Sequence, residues 1–101
     1  MQEFIKIHER DNVAVALRDY QQGEKLPIGD TGLELLEPVA RGHKIALIPI
    51  AKGSHVLKYG YPIGHALQEI APGQHVHTHN TKTNLTGVEE YKYEPRLEEN
   101  P

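Results

Sequence analysis

Three histidines fall within six residues, His75-Val76-His77-Thr78-His79-Asn80. In an extended segment alternate residues share a face, so His75, His77 and His79 are expected to project together. Neighbours on such a face stand about 6.6 Å apart and the outer pair about 13 Å. An imidazole nitrogen must come within about 2.1 Å of a metal ion. Two adjacent histidines can therefore converge on one ion, whereas all three of a regular strand cannot. A metal site here needs further ligands from elsewhere in the chain. Imidazole suits several first-row metals, so the spacing does not choose the ion. The competing reading is a half-exposed strand whose histidines form hydrogen bonds at an interface.

Two other groups carry usable chemistry. In Gly42-His43-Lys44 a glycine permits a sharp turn and presents the next two residues at the start of a strand. Lys44 can offer a cation to a carboxylate, and His43 can move a proton near neutral pH. In Lys58-Tyr59-Gly60, followed by Pro62-Ile63-Gly64, two glycines bracket a loop whose backbone can approach a ligand closely. The ordinary alternatives are a solvated lysine, a surface histidine and a packed tyrosine. There is no phosphate-binding G-x-x-x-x-G-K-[ST] loop, no H-E-x-x-H pair and no G-x-S-x-G elbow.

The elements that must position these groups are short. Phe4 to Ile7, Val13 to Leu17, Lys25 to Ile28, Leu33 to Leu36, His43 to Ile50, His55 to Tyr59 and Gln74 to Asn80 read as strands. Gly29-Asp30-Thr31-Gly32 predicts a tight hairpin turn. His65 to Ile70 is the one stretch expected to make a helical turn. Turns ending in glycine precede extended runs at 21–28, 51–59 and 71–79, with uneven spacing. The expected class is mostly β, built of short bent strands with one or two short helical turns.

Composition narrows the function. The chain has 101 residues, about one domain, with no cysteine and a net charge of −3. A disulfide framework, a thiolate metal site and a cysteine nucleophile are excluded. The charge is a poor footprint for nucleic acid. No apolar run approaches the roughly 20 residues of a membrane helix, and a cytoplasmic location is the default expectation. From Leu85 the sequence turns polar and charged, so residues 1–84 are expected to form the domain and 85–101 an extended linker.

The strings DNVAVALRDY (11–20), ARGHKIALIPIAKGSHVLKYGYPIGHAL (40–67) and IAPGQHVHTHN (70–80) closely resemble the N-terminal part of the altronate/galactarate dehydratase family. The continuation TKTNLTGVEEYKYEP is similar to the segment that leads out of that part. The resemblance implies a SAF-type β-clip domain of a sugar-acid hydro-lyase that turns D-altronate into 2-keto-3-deoxy-D-gluconate in galacturonate catabolism. It implies a divalent metal, Fe(II) or Mn(II), and a large C-terminal catalytic domain or subunit without which this chain is inactive. By the same resemblance His43, Lys44 and Tyr59 are candidate catalytic residues. Lys44, Lys58, Gly60 and Asn80 are candidates for binding the sugar acid, and His75, His77 and His79 for the metal. The rival readings are a small subunit of another 2-hydroxy-acid lyase, such as sulfolactate sulfo-lyase, and a non-catalytic module for sugar acid, metal or assembly, including homo-oligomer contacts.

Overall fold

An eleven-residue pattern recurs four times and accounts for most of the core. Its first residue is Ala16, Leu35, Ala46 or Ala66, and its fifth is Tyr20, Val39, Ile50 or Ile70. Its eighth is Gly23, Gly42, Gly53 or Gly73, and its eleventh is Leu26, Ile45, Val56 or Val76. Twelve of the fourteen buried apolar side chains among the described residues occupy the first, fifth and eleventh positions. A computed structural model describes residues 3–84. The expected linker, 85–101, lies outside the described residues.

Each copy of the pattern is a bend, a turn and a strand, and the copies fold in reciprocal pairs. Gly23 N–H donates to the Leu35 carbonyl and Gly42 N–H donates to the Ala16 carbonyl, both at 2.8 Å. Tyr20 and Val39 exchange both of their backbone hydrogen bonds. The second pair repeats this arrangement. Gly53 bonds Ala66, Gly73 bonds Ala46, and Ile50 and Ile70 exchange bonds. The four glycines share a positive φ near +85 to +91°, a region from which a Cβ is largely excluded. At Gly73 a Cβ would also collide with the Glu34 carbonyl oxygen. The first pair closes one core around Tyr20, Leu26, Leu35, Val39 and Ile45. The second closes another around Ala46, Ile50, Val56, Ile70 and Val76.

Nine short strands result among the described residues: β1 (Phe4–Ile5), β2 (Val13–Ala16), β3 (Lys25–Leu26), β4 (Leu33–Glu34), β5 (Lys44–Ala46), β6 (His55–Lys58), β7 (Tyr61–Ala66), β8 (His75–Val76) and β9 (Thr81–Thr83). They form an antiparallel sheet in the order β1-β2-β5-β8, a hairpin β3-β4 and a sheet β6-β7-β9. The fold is mostly β, and the described residues contain no helix. None is therefore long and apolar enough to cross a membrane.

Three expectations from sequence are corrected. His65 to Ile70 makes no helical turn: His65 and Ala66 end β7, and Ala66 and Ile70 are pattern positions whose backbone groups bond Ser54 and Ile50. Tyr61 to Gly64, read as a loop between glycines, is strand. The strand expected from Gln74 to Asn80 stops at Val76, and residues 77–80 turn the chain into β9.

Candidate functional site

β5 is central because it ends one copy of the pattern with Ile45 and begins the next with Ala46. Its partner β8 pairs Lys44 with Val76 and Ile45 with His75. Continuing that register places His43, just before β5, opposite His77, just after β8. The two rings stack with centroids 3.9 Å apart. His75 stacks 5.0 Å from His43, and its Nε2 lies 2.8 Å from His43 Nδ1. One nitrogen from each of His43, His75 and His77 falls within 4.8 Å of the other two.

Such a cluster disfavours charge. Burial lowers the pKa of His75, as do its neighbours His79 and His43. His77 is lowered by burial, then by His43 and Lys44. Neutral imidazole is the form that binds metal. Three half-buried imidazoles from two strand ends fit a divalent ion with coordination positions left over. Glu37 accepts the His75 N–H at 3.0 Å and braces that strand from outside the cluster.

Beside His77 opens a cavity of about 460 Å³ whose lining includes Lys44, Lys58, Tyr59, Thr81 and Lys82. Burial lowers the pKa of Lys44, and the positive charge of Lys58 adds to the effect. Among the described residues the ion pairs within 4.0 Å are those of Arg18 with Glu3 and Glu24, so no carboxylate neutralises Lys44 or Lys58. Two half-buried ammonium groups facing one cavity suit an anion.

The turn that carries Lys58 and Tyr59 is built from a distance. Tyr59 and Gly60 form a two-residue hairpin turn, both with positive φ, at +61 and +76°. The conformation is costly for tyrosine. The buried carboxylate of Asp11 holds it by accepting the Tyr59 and Gly60 N–H groups at 3.0 and 2.7 Å. The Tyr59 side chain remains half exposed at the cavity, 5.0 Å from the Lys58 ammonium.

The structure thus gathers His43, Lys44, Lys58, Tyr59, His75 and His77 into one region. Three other candidates stand apart from that grouping. Gly60 has no free N–H to offer a ligand, and the His8 ring covers it. Asn80 is fully buried, with both ends of its carboxamide bonded to the backbone of His75 and His77. His79 is exposed on the turn and stands outside the convergent set, with its ring tilted 5.0 Å from His75. Sequence reasoning missed Asp11 and Asn12, which look like an ordinary turn pair. Their one signal is adjacency to the buried Val13-Ala14 run.

The sequence model described as the altronate/galactarate dehydratase SAF domain matches residues 2–84. The chain is 52% identical over 101 residues to an altronate dehydratase of Bacillus subtilis (strain 168), a match covering all of this chain and 20% of that enzyme. It is 52% identical over 99 residues to an altronate dehydratase of Escherichia coli (strain K12), covering 98% of this chain and 20% of that one. A (2R)-sulfolactate sulfo-lyase subunit alpha of Chromohalobacter salexigens is 42% identical over 50 residues, half of this chain and 53% of that subunit. The chain spans about a fifth of the length of the two dehydratases.

Proposed function

Because the chain belongs to the altronate/galactarate dehydratase SAF-domain family, we propose that it supplies the metal-gripping and carboxylate-gripping part of a sugar-acid hydro-lyase acting on D-altronate. The observation that carries this reading is the adjacency of three convergent imidazoles, His43, His75 and His77, to Lys44 and Lys58, which line one cavity with no carboxylate partner among the described residues.

The reaction removes water across C2 and C3 of an aldonate. A base takes the C2 proton, an acid protonates the C3 hydroxyl as it leaves, and the resulting enol becomes the 2-keto acid. The hard step puts negative charge beside a carboxylate. Lys44 and Lys58 hold that carboxylate and stabilise the enediolate charge as it grows. Tyr59, at the mouth of the cavity, can donate a hydrogen bond to a substrate hydroxyl or carry a proton. A bound Fe(II) or Mn(II) would be held by His43, His75 and His77 and would act as a Lewis acid toward substrate oxygen. Proton transfer by a placed side chain contributes about 10²–10⁴-fold, and a large partner domain or subunit supplies what this chain lacks. The enzyme works in the cytoplasm as part of sugar-acid catabolism. The sulfo-lyase match extends over half of this chain, which favours the dehydratase over the small-subunit reading.

The test is a titration of the 101-residue chain with Mn(II) and then altronate, followed by NMR. The ring signals of His43, His75 and His77 should broaden together at stoichiometric metal, and altronate should shift the Lys44 and Lys58 side-chain signals. Weak, uniform broadening and unmoved lysines would overturn the reading.

A further inference from the structure

β8 ends at Val76, yet the backbone of His77 is firmly held. The side-chain Nδ2 of Asn80 donates to the His75 carbonyl at 2.8 Å, and its Oδ1 accepts the His77 N–H at 2.9 Å. The backbone N–H groups of Asn80 and Thr81 return to the His77 carbonyl at 3.2 and 3.0 Å, and the Thr81 hydroxyl joins them at 2.6 Å. One planar carboxamide therefore bridges two residues whose imidazoles must converge.

The same device occurs a second time in the fold. Asn12 donates Nδ2 to the His55 carbonyl at 3.0 Å and accepts the Leu57 N–H at 2.8 Å. His55 and His75 are the tenth residues of their copies of the pattern, and Leu57 and His77 are the first residues after those copies end. Asn12 and Asn80 each precede a strand, β2 or β9, that pairs with the start of a pattern copy. The described residues thus hold two buried asparagine clamps of the same form, one of them on the residues that carry His75 and His77 into the imidazole cluster.

We propose that Asn80 is a positioning residue that sets the placement of His75 and His77 and thereby the shape of the three-imidazole centre. The proposal rests on the metal reading above. The chemistry requires an amide. A carboxylate at position 80 has no proton to give the His75 carbonyl and would repel it, and a serine is too short to span both groups. The aspartate leaves the buried His75 carbonyl unpaired and the serine leaves at least one of the two backbone groups unpaired, so in either variant one side chain no longer ties His75 to His77.

The test uses Co(II), whose visible absorption reports the number and arrangement of its ligands, on the 101-residue chain and its Asn80→Asp, Asn80→Ser and Asn12→Ser variants. Measurements are made at a temperature where circular dichroism shows each variant folded. Both Asn80 variants should lose about 10–100-fold in Co(II) affinity, as supporting-shell losses do, and should alter the absorption band. Asn12→Ser should keep the parent's affinity and band. Equal effects at both asparagines, or none at Asn80, would overturn the proposal. If the parent chain binds no Co(II), the metal reading fails, and ring-to-ring nuclear Overhauser contacts between His43 and His77 decide the role of Asn80. Loss of those contacts in an Asn80 variant but not in Asn12→Ser sustains it, and their survival in both sinks it.

Discussion

The Nδ1 atom of His43 lies 2.8 Å from the Nε2 atom of His75. At that distance the two rings can share one proton, and two protonated rings would repel. The contact joins residues 32 apart in sequence, one just before β5 and the other at the start of β8. A metal ion held by both nitrogens would displace the proton between them, so metal binding there would depend on pH.

The geometry ranks the histidines. His43→Ala should weaken Zn(II) binding by more than the roughly 10–100-fold that loss of a supporting partner costs. His79→Ala should change it by less than about tenfold. Calorimetric titration of both variants separates them, and a larger loss at His79 would contradict the convergent set described here.

Asp11 makes stability sensitive to acid. Burial alone would raise its pKa, but the N–H donors of Gly60, Tyr59 and His8 outweigh burial, with help from the charge of His8. The net effect is a pKa below the ordinary 3.8. As pH falls the unfolded chain therefore takes up this proton first. The stabilisation is complete above the ordinary value and disappears as pH drops through the lower, folded one. Asn at this position keeps one acceptor and loses the charge. Asp11→Asn should cost about 1–3 kcal/mol at pH 7 and less near pH 3, as read from urea unfolding at the two pH values.

Lys44 is expected to trade stability for binding. Its ammonium is half buried beside Lys58 with no carboxylate partner among the described residues. Lys44→Met keeps the stem and removes the charge. The variant should gain about 0.5–2 kcal/mol of stability and lose affinity for aldonates. A melting curve and a ligand titration on the same sample test both halves. A less stable variant would mean that the charge is already compensated.

The pattern glycines differ in what a methyl group would meet. At Gly23 there is open space, so Gly23→Ala should cost only the backbone strain, about 1–2 kcal/mol. At Gly73 the added Cβ also strikes the Glu34 carbonyl, and the cost should rise to about 3–5 kcal/mol. Chemical denaturation of the two variants gives the comparison directly.

The class of fold was legible because glycine turns recur before short apolar runs. The pairing of those turns was not. The four glycines stand nineteen, eleven and twenty residues apart, and the copy at 35–45 was obscured because His43 to Ile50 reads as one long strand. That stretch is the end of one copy and the start of the next. The residues of the candidate site were legible by type, since His43, Lys44, Lys58, Tyr59, His75 and His77 lie in one region of the fold. Their grouping depended on long-range register, which periodicity within one strand does not contain. Asn80 entered as a substrate-binding candidate by family resemblance alone, and the backbone groups that use its carboxamide were not visible in the sequence. His79 lost its expected place because the same asparagine ends the extended segment after Val76.

β5 belongs to both reciprocal pairs, with Ile45 sealing one core and Ala46 opening the other. His43 enters the site from the first pair, and His75 and His77 enter from the second. A chain with only one half formed would present at most part of the cluster. Occupancy of this site is therefore a reporter of complete assembly. Any ligand held there stabilises both halves together by mass action, and it cannot rescue one half while the other is unravelled.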